Sequence, residues 1–125
     1  MAEAATQSIG KYAESLALEH LEARGLDLVA RNFRCRSGEI DLVMRDAGCL
    51  VFVEVRYRKS GRFASAVESV DQRKQNKLLT AASFFVARHG QFRNLAMRFD
   101  VVALDGRSRD QIRLQWLRDA FRPGD

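Results

Sequence analysis

Asp41 and Glu54 stand in neighbouring β-rich stretches, and basic side chains at Arg56, Arg58 and Lys59 follow them closely. These are the residue types and spacings in the chain that could do chemistry. A strand alternates its side chains, so Glu39, Asp41 and Val43 should share one face of the first stretch, and Leu50, Phe52, Glu54, Arg56 and Arg58 one face of the next. Asp46-Ala47-Gly48-Cys49 between them reads as a hairpin connection. If the loop is Ala47-Gly48, or all four residues, Asp41 falls opposite Glu54 and Glu39 opposite Arg56. A three-residue loop without a compensating bulge instead puts the two acids on opposite faces, and turn chemistry alone leaves the register open. Opposed like charges destabilise a sheet, and a lone ionised Glu54 inside Leu-Val-Phe-Val-Glu-Val would be costly to bury. Two compensations fit the spacing. One is a divalent cation held by both carboxylates, for which Mg²⁺ is the usual choice where water and phosphate oxygens complete the shell. The other is an internal salt bridge from Arg56 or another guanidinium.

The elements that must position these groups follow from periodicity. Across residues 6–24, Ile9, Tyr12, Ala13, Leu16, Ala17 and Leu21 recur at three and four, which predicts a helix that Gly25 can end. A first strand is expected over 28–35, with Leu28, Ala30 and Asn32 alternating against Val29, Arg31 and Phe33. The two acid-bearing strands are expected over 39–45 and 50–58. A second amphipathic helix reads over 70–89, closing near Gly90, and two more strands over 98–104 and 112–117. The order α-β-β-β-α-β-β, with a connection from Arg58 to Arg98 long enough for a parallel crossover, predicts an α/β sandwich with a mixed five-stranded sheet. The chain of 125 residues suits a single domain over 1–125.

No apolar run approaches the roughly 20 residues that span a bilayer, and the first ten residues lack a signal-like apolar block, so the cytoplasm is the expected location. Cys35 and Cys49 have neither the spacing nor the histidine companions of a zinc or redox site and read as reduced thiols. The net charge of +5 is unevenly spread. Residues 1–55 carry 6 basic and 9 acidic groups, residues 56–98 carry 10 and 2, and residues 99–125 carry 5 of each. Arg58, Lys59, Arg62, Arg73 and Lys77, with Arg56 and Lys74, form a basic segment dense enough to attract a polyanion. Its plainer reading is a solvated charged face.

Three blocks, Gly38-Glu39-Ile40-Asp41-Leu42-Val43, Val51-Phe52-Val53-Glu54-Val55-Arg56 and Arg98-Phe99-Asp100-Val101-Val102, resemble the YraN family of small bacterial proteins in order and spacing. That resemblance implies the restriction-endonuclease-like, or PD-(D/E)xK, fold, similar to Holliday-junction resolvases. By the same resemblance Asp41 is the first metal-binding carboxylate, Glu54 the acid of the ExK element, and Glu14 a helix-borne glutamate that completes the metal site. Arg56 stands where the superfamily normally has lysine. Arginine can clamp a phosphate or stabilise a developing charge, but it does not accept a proton at working pH. Lys59 and Lys74 are the amines nearby, and Lys74 matches a basic position common in that family. Glu14 also fits a solvated residue beside the apolar stripe, and Arg98 with Asp100 fits a structural ion pair at a strand start.

The expectation is therefore a Mg²⁺- or Mn²⁺-dependent endonuclease acting on duplex or branched DNA, with Glu14, Asp41, Glu54, Arg56 and Lys74 at the site. Its rivals are a catalytically weak nucleic-acid-binding module on the same fold and an adaptor whose basic segment meets an acidic protein. Resolvases of this fold act as dimers, so the resemblance also admits a homodimer, although no seam for one is legible.

Overall fold

The computed structural model describes residues 8–59 and 63–123. Helix α1 (Ile9–Ala23) begins where the Ser8 hydroxyl accepts from the Lys11 N–H at 3.2 Å, satisfying one of the donors that a helix start leaves open. It ends at Gly25, whose φ of 93° suits the left-handed C-terminal stop foreseen for it. Strands β1 (Asp27–Cys35), β2 (Gly38–Asp46) and β3 (Cys49–Arg58) follow. A short helix α2 (Phe63–Glu68) and a long helix α3 (Gln72–Arg88) lead to β4 (Ala96–Asp105) and β5 (Arg113–Phe121).

The five strands form one mixed sheet in chain order, with β3 and β4 parallel and every other neighbour antiparallel. Helix α1 covers one face, where Ala13, Ala17 and Leu21 pack with Leu42, Met44, Val51, Val53, Val102 and Leu104. Helix α3 covers the other, where Leu78, Ala81, Ala82 and Phe85 meet Ile40, Val43, Leu50, Phe52, Phe99 and Val101. This is the α/β architecture and element order that the periodicity predicts. Among the described residues no helix is long and apolar enough to cross a membrane.

Four details differ from the sequence reading. The second helix is split: α3 starts only where the Asp71 carboxylate accepts from the Lys74 N–H at 2.9 Å, and α2 precedes it as a separate turn-linked piece. Strand β5 runs on to Phe121, beyond the apolar alternation, because Asp119 at φ 52° donates its N–H to the fully buried Asp100. In β1 the alternation fails twice. A register shift lies between Leu28 and Ala30, and Asn32 takes a left-handed φ of 55°. Arg31 consequently meets α1, whereas Phe33 packs into the α3-side core. Strand β2 shows the matching break, since Ile40 and Val43 join the α3-side core while Leu42 and Met44 join the other. Glu39, Asp41 and Val43 therefore do not share one face.

The hairpin register is decided by the two-residue loop. Asp46 pairs with Cys49, and Ala47 takes the positive φ of 54° that such a tight turn needs. Rungs continue inward through Leu42 opposite Val53, the last pair of the ladder. Beyond it the strands part. Glu39 therefore never faces Arg56; it pairs with Arg34 across β1, at 3.2 Å.

Candidate active site

The parting of β2 from β3 builds the site. One residue beyond the last rung, the Asp41 carboxylate takes the place of a ladder partner, and its Oδ2 accepts the Val55 N–H at 2.8 Å. Glu54, the adjacent residue of β3, shares a hydrogen bond with Asp41, so the two acids meet as the two-residue loop requires. Gly10 and Glu14 of α1, Asp41, and Arg56, Tyr57 and Arg58 of β3 line a cleft of about 280 Å³ at this opening.

Burial governs the electrostatics. Glu54 is 4% exposed. Desolvation, reinforced by the Asp41 charge, pushes its carboxyl up from 4.5 to about 7 against the opposing pull of Arg56 and Lys74. Asp41 is likewise raised, by burial first and then by the charges of Glu14 and Glu39, although the Val55 N–H holds it down. The shared hydrogen bond raises Glu54 and lowers Asp41, which places the shared proton on Glu54.

Both compensations foreseen in the sequence bear on this pair. Arg56 Nη2 stands 3.0 Å and Lys74 Nζ 3.5 Å from Glu54 Oε2, so the internal salt bridge is present. Lys74 reaches the strand because Asp71 fixes the first turn of α3 above it. Nothing among the described residues accepts a hydrogen bond from the buried Arg56 Nε, a donor left over for a ligand. Asp41 has no such guanidinium partner among the described residues, and two hard carboxylate oxygens beside an open cleft suit Mg²⁺ or Mn²⁺ with water and phosphate completing the shell. Among the described residues no three His, Cys, Asp or Glu side chains form a ready-made metal cage.

The structure brings Asp41, Glu54, Arg56 and Lys74 together. Glu14 lines the same cleft and is 6% exposed, which removes its reading as a solvated residue; its carboxylate, however, is held by Arg31 Nε at 3.1 Å. Arg58 lines the cleft mouth, and Lys59 is exposed at the end of β3. Arg73 and Lys77 are exposed on α3, Lys77 lying over Gly38. Arg62 lies outside the described residues. Asp100 is structural, as read: fully buried, it accepts from Arg98 at 2.9 and 3.0 Å, from Trp116 Nε1 at 2.9 Å and from the Asp119 N–H at 2.9 Å. Arg31, Gly10 and Tyr57 were not foreseen. The signal for Arg31 was its charge on what alternation made an apolar face, beside an Asn able to reverse that face.

The model of the family described as "Uncharacterised protein family UPF0102" matches residues 13–104. The match takes in Glu14 and all three motif blocks. A UPF0102 protein of Pseudomonas putida (strain F1) is 50% identical over 121 residues, covering 97% of this chain and 98% of its own. One from Stutzerimonas stutzeri (strain A1501) is 52% identical over 118 residues, covering 93% and 96%. Another from Nitrosococcus oceani is 49% identical over 113 residues, covering 90% of each. With a family model over most of its length and relatives of nearly equal span at about half identity, the chain belongs to the UPF0102 family.

Proposed function

We propose that this protein is a Mg²⁺- or Mn²⁺-dependent DNA endonuclease of the restriction-endonuclease-like superfamily, acting in the cytoplasm on duplex or branched DNA. The observation that carries the reading is the Asp41–Glu54 pair: two adjoining, largely buried carboxyls, one of them lining an open cleft that Arg56 and Arg58 also line. Both carboxyls are raised by burial, and Glu54 is raised further by the Asp41 charge.

Asp41 and Glu54 would hold the ion, which when bound supplies a Lewis acid and a water activated for attack on a phosphodiester. The Asp41–Glu54 pair would release its shared proton on taking up the ion. Arg56 presents Nη and Nε donors to a phosphate oxygen and stabilises charge as it develops there. Lys74 supplies a second cation from α3, 3.5 Å from Glu54. Arg58 at the mouth, with Lys59, Arg73 and Lys77 on the flanking surfaces, would grip neighbouring phosphates without reading sequence.

The Glu54–Arg56–Lys74 ion pairs favour a second reading, a DNA-binding module in which internal cations have replaced the metal. Titration calorimetry of Mn²⁺ into the wild type and Asp41→Ala separates the two. The nuclease reading expects binding that the substitution abolishes, together with cleavage of duplex, flap or four-way junction DNA. A wild type that binds DNA but neither Mn²⁺ nor cleaves supports the module.

A further inference from the structure

Glu14 is the acid of the cleft that the pair does not include, and the reason lies in β1. Arg31 pairs with Leu42, the residue next to Asp41, and the left-handed Asn32 beside it ends the alternation of the strand. The register shift between Leu28 and Ala30 leaves Ala30 on the α3 side and turns Arg31 to α1. Its Nε donates to Glu14 Oε1 at 3.1 Å, and its Nη2 donates to Ser15 Oγ at 3.1 Å. One guanidinium thus grips two consecutive residues of the helix, a two-point hold that a lysine ammonium cannot reproduce. Glu14 nevertheless lines the same cleft as Asp41, and its charge is felt there.

A carboxylate as buried as Glu14 requires a cationic partner. A metal ion in the cleft and the Arg31 guanidinium are competitors for that role, and in this structure Arg31 has it. We propose that Arg31 is a positioning residue that holds the Glu14 carboxylate against the α1–β1 wall and so withholds a third acidic ligand from a cation bound by Asp41 and Glu54. The proposal rests on the metal reading above. With Glu14 neutralised in this way, a divalent ion meets fewer negative charges, and the occupied cleft keeps positive charge for a phosphate group.

Calorimetric titration of Mn²⁺ alone into the full chain at pH 8 tests it, using wild type, Arg31→Gln, Arg31→Lys, Glu14→Gln and the double variant Arg31→Gln with Glu14→Gln. Arg31 is partly exposed, and thermal melts without metal verify that each variant is folded. Arg31→Gln should bind Mn²⁺ about tenfold or more tightly, because both the repelling charge and the competitor for Glu14 are gone. In the Glu14→Gln background the same substitution should tighten binding only about two- to threefold, since only the charge is lost. Arg31→Lys, which keeps the charge without the two-point hold, should fall between wild type and Arg31→Gln. A merely structural Arg31 would lower affinity or leave it unchanged. Either of those results, or equal gains in both backgrounds, overturns the proposal while leaving the metal reading intact. Absence of Mn²⁺ binding in the wild type overturns both.

Discussion

Replacing Glu54 by glutamine should stabilise the metal-free protein at alkaline pH. The carboxyl is raised from 4.5 to about 7, a difference equivalent to about 3 kcal/mol between its neutral and charged forms in the folded protein. Because the folded value is the higher one, this contribution is fully present below the unfolded value of 4.5 and is lost as pH rises through about 7. Wild type should therefore lose stability across that window, and Glu54→Gln, which has no charge to bury, should not. The attraction of Arg56 and Lys74 is already included in the raised value, but their charges would face an amide in the variant. Both are partly hydrated at the cleft, so a net gain of about 1–3 kcal/mol is expected at pH 8.5, or roughly 3–10 °C in Tm. Melts in EDTA followed by circular dichroism from pH 4 to 8.5 read it directly, the two proteins converging at the acid end. Added Mn²⁺ should raise the wild-type Tm, as about 2.7 kcal/mol at a hundredfold excess over Kd would, and leave the variant unmoved. A variant that melts below wild type at pH 8.5, or a difference independent of pH, would refute the reasoning and favour the salt bridge as the true compensation.

Arg56→Ala should lower the cleavage rate by roughly 10²-fold with little change in DNA affinity, as loss of one charge-stabilising donor does. Activity confined to Arg56→Lys would mark a site that kept its fold and lost its chemistry, and undiminished activity in Arg56→Ala would shift the role to Lys74. Neutralising Arg58, Lys59 and Arg62 together should reduce the slope of log K against log salt by roughly 2 to 3 in fluorescence anisotropy titrations; an unchanged slope removes that segment from the interface. Asp100→Ala should destabilise the protein by about 3–5 kcal/mol in urea denaturation, because it leaves Arg98 and Trp116 Nε1 without their buried acceptor, and a loss under 1 kcal/mol would contradict its structural role.

Element types and their order were legible from periodicity, because the apolar stripes of α1 and α3 and the alternation of β3 are local patterns set by what each element buries. Gly25 announced the end of α1, and the Glu54–Arg56 pairing followed from their common face on a single strand. Three other features were decided only by tertiary structure. The hairpin register depended on whether Ala47 would adopt a positive φ, a cost that an alanine bears only because the flanking ladders favour the two-residue loop. The parting of β2 from β3 after Leu42 and Val53, which lets Asp41 accept from Val55, is a property of the paired strands that the alternation of neither announces. The capture of Glu14 by Arg31 joins residues 17 apart in sequence, with Arg31 set toward α1 by the register shift between Leu28 and Ala30. Residue spacing along a strand reports which side chains share a face only while the strand stays regular. Where two strands change faces together, the contacts that result belong to the sheet, and no single segment encodes them.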